Sequence, residues 1–189
     1  MDKYDLTYVT IDSLSEGVAS SQVVPLISRL SGFGLKINLI SYEKSRPVTQ
    51  LQDYFESIGV EWNFRPVGKT GVIGGVVRFN DLRRQIQLTD VIHARSDIPT
   101  VSAIASHKAG VLWDVRSLWY EQKVIVDTKS GSRWIALVLR KLELFAAKNA
   151  SAVNVLAEPL LEVLLKRNQV LPKIRTVVPT SVDLEKFKL

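Results

Sequence analysis

The stretch Asp90-Val91-Ile92-His93-Ala94-Arg95 is a short apolar run that ends in a histidine and an arginine, and a helical pattern begins soon after it at Pro99. A strand of this kind followed by a helix is the repeating unit of a parallel sheet covered by helices. The same alternation continues along the chain in both directions. Six further strands are predicted, at Asp5–Ile11, Leu35–Ser41, Val60–Val67, Val111–Arg116, Ser151–Leu156 and Ile174–Val178.

Helical patterns fill the intervals between these strands. The first is indicated by apolar residues at helical spacing, namely Val23, Leu26, Ile27 and Leu30. We expect Pro25 in its first turn or at a kink. The other helices are predicted at Thr49–Ile58, Val72–Leu88 (weakened by Gly74 and Gly75), Pro99–Lys108, Ser132–Asn149 and Glu158–Asn168. The sequence therefore predicts an α/β fold, a Rossmann-like doubly wound parallel sheet of about seven strands with helices on both faces.

The composition limits the classes of function. A chain of 189 residues, 46% of them hydrophobic, is long enough for one domain with a buried core. It has no cysteine and only two histidines, so we expect neither a disulfide framework nor a metal site. We find no signal-peptide pattern and no apolar run of the roughly 18 residues that a membrane span needs. These observations favour a cytoplasmic protein.

The net charge of +6 is unevenly distributed. Residues 1–95 carry 11 basic and 10 acidic side chains, whereas residues 96–189 carry 14 and 9. An excess of bases within 116–148 indicates an anionic partner. In the predicted helix Ser132–Asn149, one face carries Arg133, Leu137, Arg140, Lys141, Leu144 and Lys148, and the opposite face carries Ile135, Val138, Leu142 and Phe145. Two interpretations are open: peripheral contact with an anionic membrane, and an ordinary solvated helix.

The predicted topology also indicates where a ligand binds. In a doubly wound sheet, loops and helix N-termini converge at the carboxyl ends of the strands. This rule selects five segments: Asp12–Ala19, His93–Pro99, Asp114–Gln122, Leu156–Pro159 and Pro179–Asp183. Neither a complete P-loop nor the dinucleotide-binding pattern Gly-x-Gly-x-x-Gly is present, which disfavours a nicotinamide or flavin enzyme.

Four residues in these segments are candidate site residues. Gly17 lies between the first strand and the first helix, where backbone can approach an anion, although an ordinary turn is the alternative. His93 is a candidate catalyst or a packed core residue. Arg95 is a candidate for an anion or sugar contact, the alternative being a salt bridge. Arg116 lies in Trp113–Glu121, where aromatic and charged side chains suit either a sugar or a buried ion pair with an aromatic lid.

Taken in order, four stretches resemble the N-terminal, acceptor-side domain of GT-B fold glycosyltransferases of family 4. They are the glycine loop with its helix and strand at 15–37, Asp90–Arg95, Asp114–Trp119 and Lys173–Phe187. The chain departs from the family pattern at Arg95, where the family often has a second histidine. It departs again at Thr180 and Ser181, which replace Asn-Gly.

The resemblance implies a function for the intact enzyme. It implies a retaining transfer of a hexose from a nucleotide diphosphate sugar, without metal, to a glycan, lipid-linked or small-molecule acceptor. By residue, it places Gly17 beside the donor diphosphate, and His93, Arg95 and Arg116 at the active-site ends of their strands. The resemblance also implies that the family's C-terminal donor-binding domain lies outside these 189 residues. We therefore expect a truncated or split enzyme that is inactive alone.

Two other functions compete with this interpretation. One is a non-enzymatic nucleotide- or sugar-binding module, which the same fold could support. The other is nucleic-acid binding, which we do not expect because the bases are not interleaved with a stacking platform.

Overall fold

The computed structural model describes residues 3–69, 71–106, 109–118, 121 and 130–180, without the side chains of residues 130–133. Seven parallel strands form one sheet in the order β3-β2-β1-β4-β5-β6-β7. The strands are β1 (Tyr4–Val9), β2 (Ile37–Glu43), β3 (Val60–Pro66), β4 (Thr89–Arg95), β5 (Gly110–Val115), β6 (Ala152–Val155) and β7 (Ile174–Val177). Since β1 pairs with both β2 and β4, the strand order reverses direction at β1. The predicted fold class is confirmed.

Within the described residues, six helices connect the strands: α1 (Gly17–Gly32), α2 (Thr49–Ser57), α3 (Gly71–Gln85), α4 (Asp97–Ser106), α5 (Ser130–Asn149) and α6 (Glu158–Arg167). Because α1 begins at Gly17, Pro25 lies within the helix and not in its first turn as one alternative predicted. The helix α4 begins two residues before the predicted Pro99, and the predicted end at Lys108 lies outside the described residues. No described helix combines the length and hydropathy needed to cross a membrane.

Alternating strand residues face opposite sides of the sheet, and each side has its own core. On one side, Tyr8 and Leu39 pack with Val23 and Ile27 of α1 and with Phe55 of α2. On the other side, separate clusters join the strands to α3 and α4 and to α5 and α6. The first side is less covered over β4 to β7, where Val91 and Ile174 are exposed. The cores therefore fix both faces of β1 and β2, the strands beside the reversal point.

Gly74 and Gly75 were predicted to weaken the third helix, but the structure gives them different packing roles. A Cβ atom on Gly74 would collide with the backbone carbonyl of Lys69, so this residue must be glycine for α3 to approach the preceding loop. A Cβ atom on Gly75 would lie 3.5 Å from Cδ1 of Ile98, an ordinary van der Waals contact. Only the first glycine is required by packing.

This difference predicts opposite effects for the same substitution at adjacent positions. Gly75→Ala should raise the free energy of unfolding by up to about 1 kcal/mol, since alanine favours a helix. Gly74→Ala should lower it by about 1–3 kcal/mol, because the loop carrying Lys69 has to move. Urea denaturation of both variants measures the two changes. Equal changes of the same sign would contradict the assigned contacts.

Asp97, at the start of α4, is a buried carboxyl group that titrates near neutrality. The indole nitrogen Nε1 of Trp113 donates to its Oδ1 at 3.1 Å. Burial, and next the negative charge of Glu143, raise the pKa of Asp97 to about 7. Between about pH 4 and pH 7 the folded state therefore holds a proton that the unfolded chain has lost. The bound proton stabilises the folded state fully below about pH 4, and this stabilisation is lost as the pH rises through 7.

We predict that the free energy of unfolding falls between pH 5 and pH 8, by at most about 1.4 kcal/mol per pH unit from this group. Asp97→Asn should reduce the fall and be more stable than the wild type at pH 8, because the amide is neutral and keeps an acceptor for Trp113. Asp53→Asn, on the exposed surface of α2, is the matched control. Identical pH profiles for wild type and Asp97→Asn would refute the assignment.

Candidate functional site at the carboxyl edge of the sheet

A cleft of about 550 Å³ opens at the carboxyl ends of β1 to β4. Its walls come from the loop after β1, the first turn of α1, the residues after β2 and β3, and α3. Four lining residues matter most for its chemistry: Gly17, Lys44, Arg78 and Arg95. Three of these are cationic, and the acidic residues that line the cleft are Asp12 and Glu16. The position agrees with the rule that ligands bind where the strand order reverses.

The N-terminus of α1 forms one wall of this cleft. Gly17 has a φ of +71°, a left-handed conformation that glycine adopts readily. The preceding residue, Glu16, makes no side-chain capping hydrogen bond, and the first turn contains no acidic residue. Gly17, Val18 and Ala19 all line the cleft. The positive end of the helix dipole and the first backbone N–H groups are thus available to an anion.

Glu43, the last residue of β2, holds the glycine loop in place. Its Oε1 accepts from the backbone N–H of Leu14 at 2.9 Å and from the Ser41 hydroxyl at 2.7 Å. Its Oε2 accepts from the Ser13 hydroxyl at 2.6 Å and from the backbone N–H of Ser15 at 3.2 Å. Burial alone would raise the pKa of Glu43, but these hydrogen bonds hold it below its ordinary value. The buried carboxylate therefore fixes the loop that carries Gly17.

Arg95 lies at the end of β4 and is buried. Its Nε donates to Oδ2 of Asp12 at 2.9 Å, and its Nη2 donates to Oε1 of Gln22 at 2.9 Å. The Tyr8 ring is buried on the same side of the sheet. Burial, and next the charge of Asp114, raise the pKa of the Tyr8 phenol, which keeps it protonated. Arg95 thus makes the predicted salt bridge, and because its side chain also lines the cleft, the anion or sugar contact stays a prediction.

Arg116 meets Arg95 through a shared acceptor. Its Nη2 donates to the same Oε1 of Gln22, at 2.6 Å, and also to the hydroxyl of Thr180 at 3.3 Å. Its Nη1 lies 3.6 Å from Oδ1 of Asp114. The buried Nε has no partner among the described residues. Gln22 therefore holds two guanidinium groups side by side, although only that of Arg95 lines the cleft.

His93 belongs to a buried polar group behind the two arginines. Its ring packs against Tyr8 with centroids 4.6 Å apart. Its Nε2 lies 3.3 Å from Oδ2 of Asp114, without hydrogen-bond geometry. Asn154 donates to the other carboxylate oxygen at 2.9 Å. Burial would raise the pKa of Asp114, but His93, Arg116 and Asn154 together hold it below its ordinary value.

The structure thus brings the four predicted residues into one connected region but not into one cavity. Gly17 and Arg95 line the cleft, whereas Arg116 and His93 reach it only through Gln22 and Asp114. The suggestion that Trp113 belongs to a sugar-binding aromatic cluster is wrong. Its side chain is fully buried on the other side of the sheet, against α5 and α6. Trp119 and Tyr120 of the same cluster lie outside the described residues.

Sequence reasoning missed several residues of the site. Glu43 is a charged residue at the end of a strand, which is the signal that identified Arg95. The same rule could therefore have found Glu43 and the next residue in the chain, Lys44. Gln22 and Arg78 lie within helices, where a polar residue every few positions is ordinary, so no local signal distinguishes them.

The predicted membrane-binding face of α5 needs a correction. Arg140 is not a free surface base: its Nη1 lies 2.6 Å from Oε1 of Glu143, and its Nη2 donates to the carbonyl of Arg167 at 2.6 Å. Phe145, placed on the apolar face, is exposed. The side chain of Arg133 is not described. Exposed Lys141 and Lys148 remain, and contact with an anionic membrane stays a prediction.

We predict that Glu43→Gln loosens the glycine loop. An amide cannot accept all four hydrogen bonds, so the free energy of unfolding at pH 7 should fall by about 1–3 kcal/mol. Because the pKa of Glu43 is lowered on folding, this stabilisation is present above its unfolded pKa and disappears as the pH falls through the folded value. Hydrogen exchange at the Leu14 and Ser15 amides should accelerate. Glu56→Gln, on the exposed surface of α2, is the control, and unchanged loop exchange in Glu43→Gln would refute the role.

Solved structures with a similar fold include the following two proteins. A glycosyltransferase from Rickettsia africae ESF-5 has a TM-score of 0.57 and 16% identity, over 100% of this chain and 46% of that chain. Anabaena Alr3699/HepE, in complex with UDP and glucose, has a TM-score of 0.55 and 10% identity, over 98% of this chain and 47% of that chain. No protein-family model and no curated protein matches the sequence. At these identities the similarity establishes the fold, and this chain spans about half the length of either structure.

Proposed function

We propose that this chain is the acceptor-side half of a GT-B glycosyltransferase of family 4, and that its cleft receives the diphosphate of a nucleotide sugar. The observation that carries the proposal is the cleft itself. It combines an uncapped helix N-terminus at Gly17 with the side chains of Lys44, Arg78 and Arg95. Backbone N–H groups and guanidinium groups are the donors that bind phosphate oxygens in proteins. The similarity of the fold to a glycosyltransferase, and to a protein in complex with UDP and glucose, supports the reaction class.

The contacts of Arg95 fit a site that is ready for an anion. Asp12 neutralises part of the guanidinium, and the Asp12 side chain is 43% exposed at the cleft. A diphosphate oxygen would compete with this carboxylate for the Nε donor. Gln22 would keep the guanidinium group of Arg95 oriented while the diphosphate replaces Asp12 as its partner. The neutral amide oxygen is a suitable support, because it adds no negative charge beside the ligand.

The proposed reaction transfers a hexose with retention of the anomeric configuration and without a metal ion. A bond forms between the anomeric carbon and an acceptor hydroxyl oxygen, and the bond between that carbon and the diphosphate oxygen breaks. The hydroxyl proton leaves with the diphosphate. Arg95 and Gly17 would stabilise the charge that develops on the leaving group. Arg116 and His93 do not line the cleft, so they would act as positioning residues that hold Arg95 in place through Gln22 and Asp114.

The proposal requires a second domain for turnover. The cleft is open on one side, and exclusion of water from a transfer reaction requires a second wall. A second Rossmann-like domain, which binds most of the donor nucleotide, would supply that wall. The chain alone should therefore bind phosphates weakly and transfer no sugar. Turnover by the purified chain of 189 residues would contradict the two-domain proposal.

The anion site can be tested without a sugar by titrating the chain with inorganic pyrophosphate in a calorimeter. We expect Asp12→Asn to bind pyrophosphate several-fold more tightly than the wild type, because the carboxylate that competes for Arg95 is removed. Asp53→Asn changes the net charge by the same amount at a distant surface position, and should leave the affinity nearly unchanged. No binding by the wild type, or equal effects of the two variants, would contradict the proposed site.

A further inference from the structure

A second cavity lies beside the cleft and has the opposite chemistry. It is a groove of about 480 Å³ between α3, α4 and α5. Its lining is almost entirely apolar and includes Phe79, Ile98, Val138 and Leu142. The volume lies within the range of small-molecule sites, which are usually apolar with a few polar groups. The fold does not need this space for its core, since the three buried clusters lie elsewhere.

The surface around the groove is also unusually apolar. On α3, the side chains of Ile73, Val76 and Val77 are all more than half exposed. On α5, the side chain of Trp134 is likewise more than half exposed. A concentration of exposed apolar side chains at the mouth of an apolar groove indicates an interaction site.

Arg78 connects the groove with the cleft, because its side chain lines both. Its Nη1 donates to the backbone carbonyls of Val67 and Lys69, at 3.3 and 3.1 Å. Its Nε is buried and has no hydrogen-bond partner among the described residues. No acidic side chain forms an ion pair with it within the described part of the chain. A positive charge with an unused donor thus lies where the apolar groove meets the cationic cleft.

We propose that the groove binds the hydrocarbon chain of a lipid phosphate, with the phosphate group beside Arg78. Apolar walls match the chain, and the guanidinium at the junction matches the anionic head group. This inference rests on the proposed function in one respect: it identifies the acceptor as lipid-linked. The phosphate would then hold the acceptor at the entrance of the cleft where the diphosphate binds.

The probe is dodecyl phosphate, titrated by calorimetry below its micelle concentration. Gly75→Leu should fill the groove, because Gly75 lines it and its Cβ position is in ordinary contact with Ile98. We expect one binding site in the wild type and affinity weaker by at least about tenfold in Gly75→Leu. Gly32→Leu is the matched control, since Gly32 ends α1 with nothing within 4 Å of its Cβ position. It should bind like the wild type, and urea denaturation checks that both variants are folded.

Two further ligands make the outcome specific. Dodecyltrimethylammonium, with the same chain and the opposite charge, should bind at least about tenfold more weakly than dodecyl phosphate. Equal affinity for the two amphiphiles, no binding of dodecyl phosphate, or unchanged affinity in a folded Gly75→Leu would overturn the proposal. Pyrophosphate should still bind to Gly75→Leu. If the wild type does not bind pyrophosphate, the proposed function is contradicted. If the wild type binds pyrophosphate but not dodecyl phosphate, only the lipid groove is contradicted.

Discussion

Every feature of the site depends on one constraint: all seven strands run parallel, so their carboxyl ends meet at a single edge. Each crossover helix then begins at that edge, with its positive dipole end next to the loops. The residues that form the cleft come from four different strand ends and from α1 and α3. The parallel topology brings these ends together, and hydrogen bonds of Glu43 and Asp12 then fix the loops. The reversal of strand order at β1 leaves the space in which the cleft opens.

Electrostatic balance within this edge explains why so many charges can be buried there. Arg95 and Arg116 would repel each other, but Gln22 accepts from both, and Asp12 and Asp114 each neutralise one. A buried charge with a partner is tolerated, whereas an unpaired one is costly. Of these partners Asp12 is the one beside the cleft, so it is the one that a ligand anion can replace. The proposed anion site and the ion pairs that stabilise this edge of the sheet therefore use the same guanidinium group, that of Arg95.

The sequence predicted the elements well because strand and helix periodicity depends on local burial. It also predicted that Gly17 and Arg95 lie at the same edge of the sheet, where both line the cleft, because topology alone brings strand ends and first turns together. Trp113 was misassigned for a physical reason: neighbouring strand residues point to opposite faces, and the aromatic ring beside Asp114 faces the core. In α5, a regular 100° pattern could not show that Arg140 turns toward Glu143 and α6. Gln22 is recognised as a site residue only by its contacts with Arg95 and Arg116, more than 50 residues away in the chain. Arg78 is recognised only by the cavities that it lines. No local sequence pattern encodes either feature.

The most direct test of the central claim is a titration of the ¹⁵N-labelled chain with pyrophosphate, followed by amide chemical shifts. If the first turn of α1 binds the diphosphate, the largest shifts should occur at the amides of Gly17, Val18 and Ala19. The amides of Gly32 and Phe33, at the opposite end of the same helix, should move little. Saturable shifts confined to other surfaces, or none in the first turn of α1, would contradict the account.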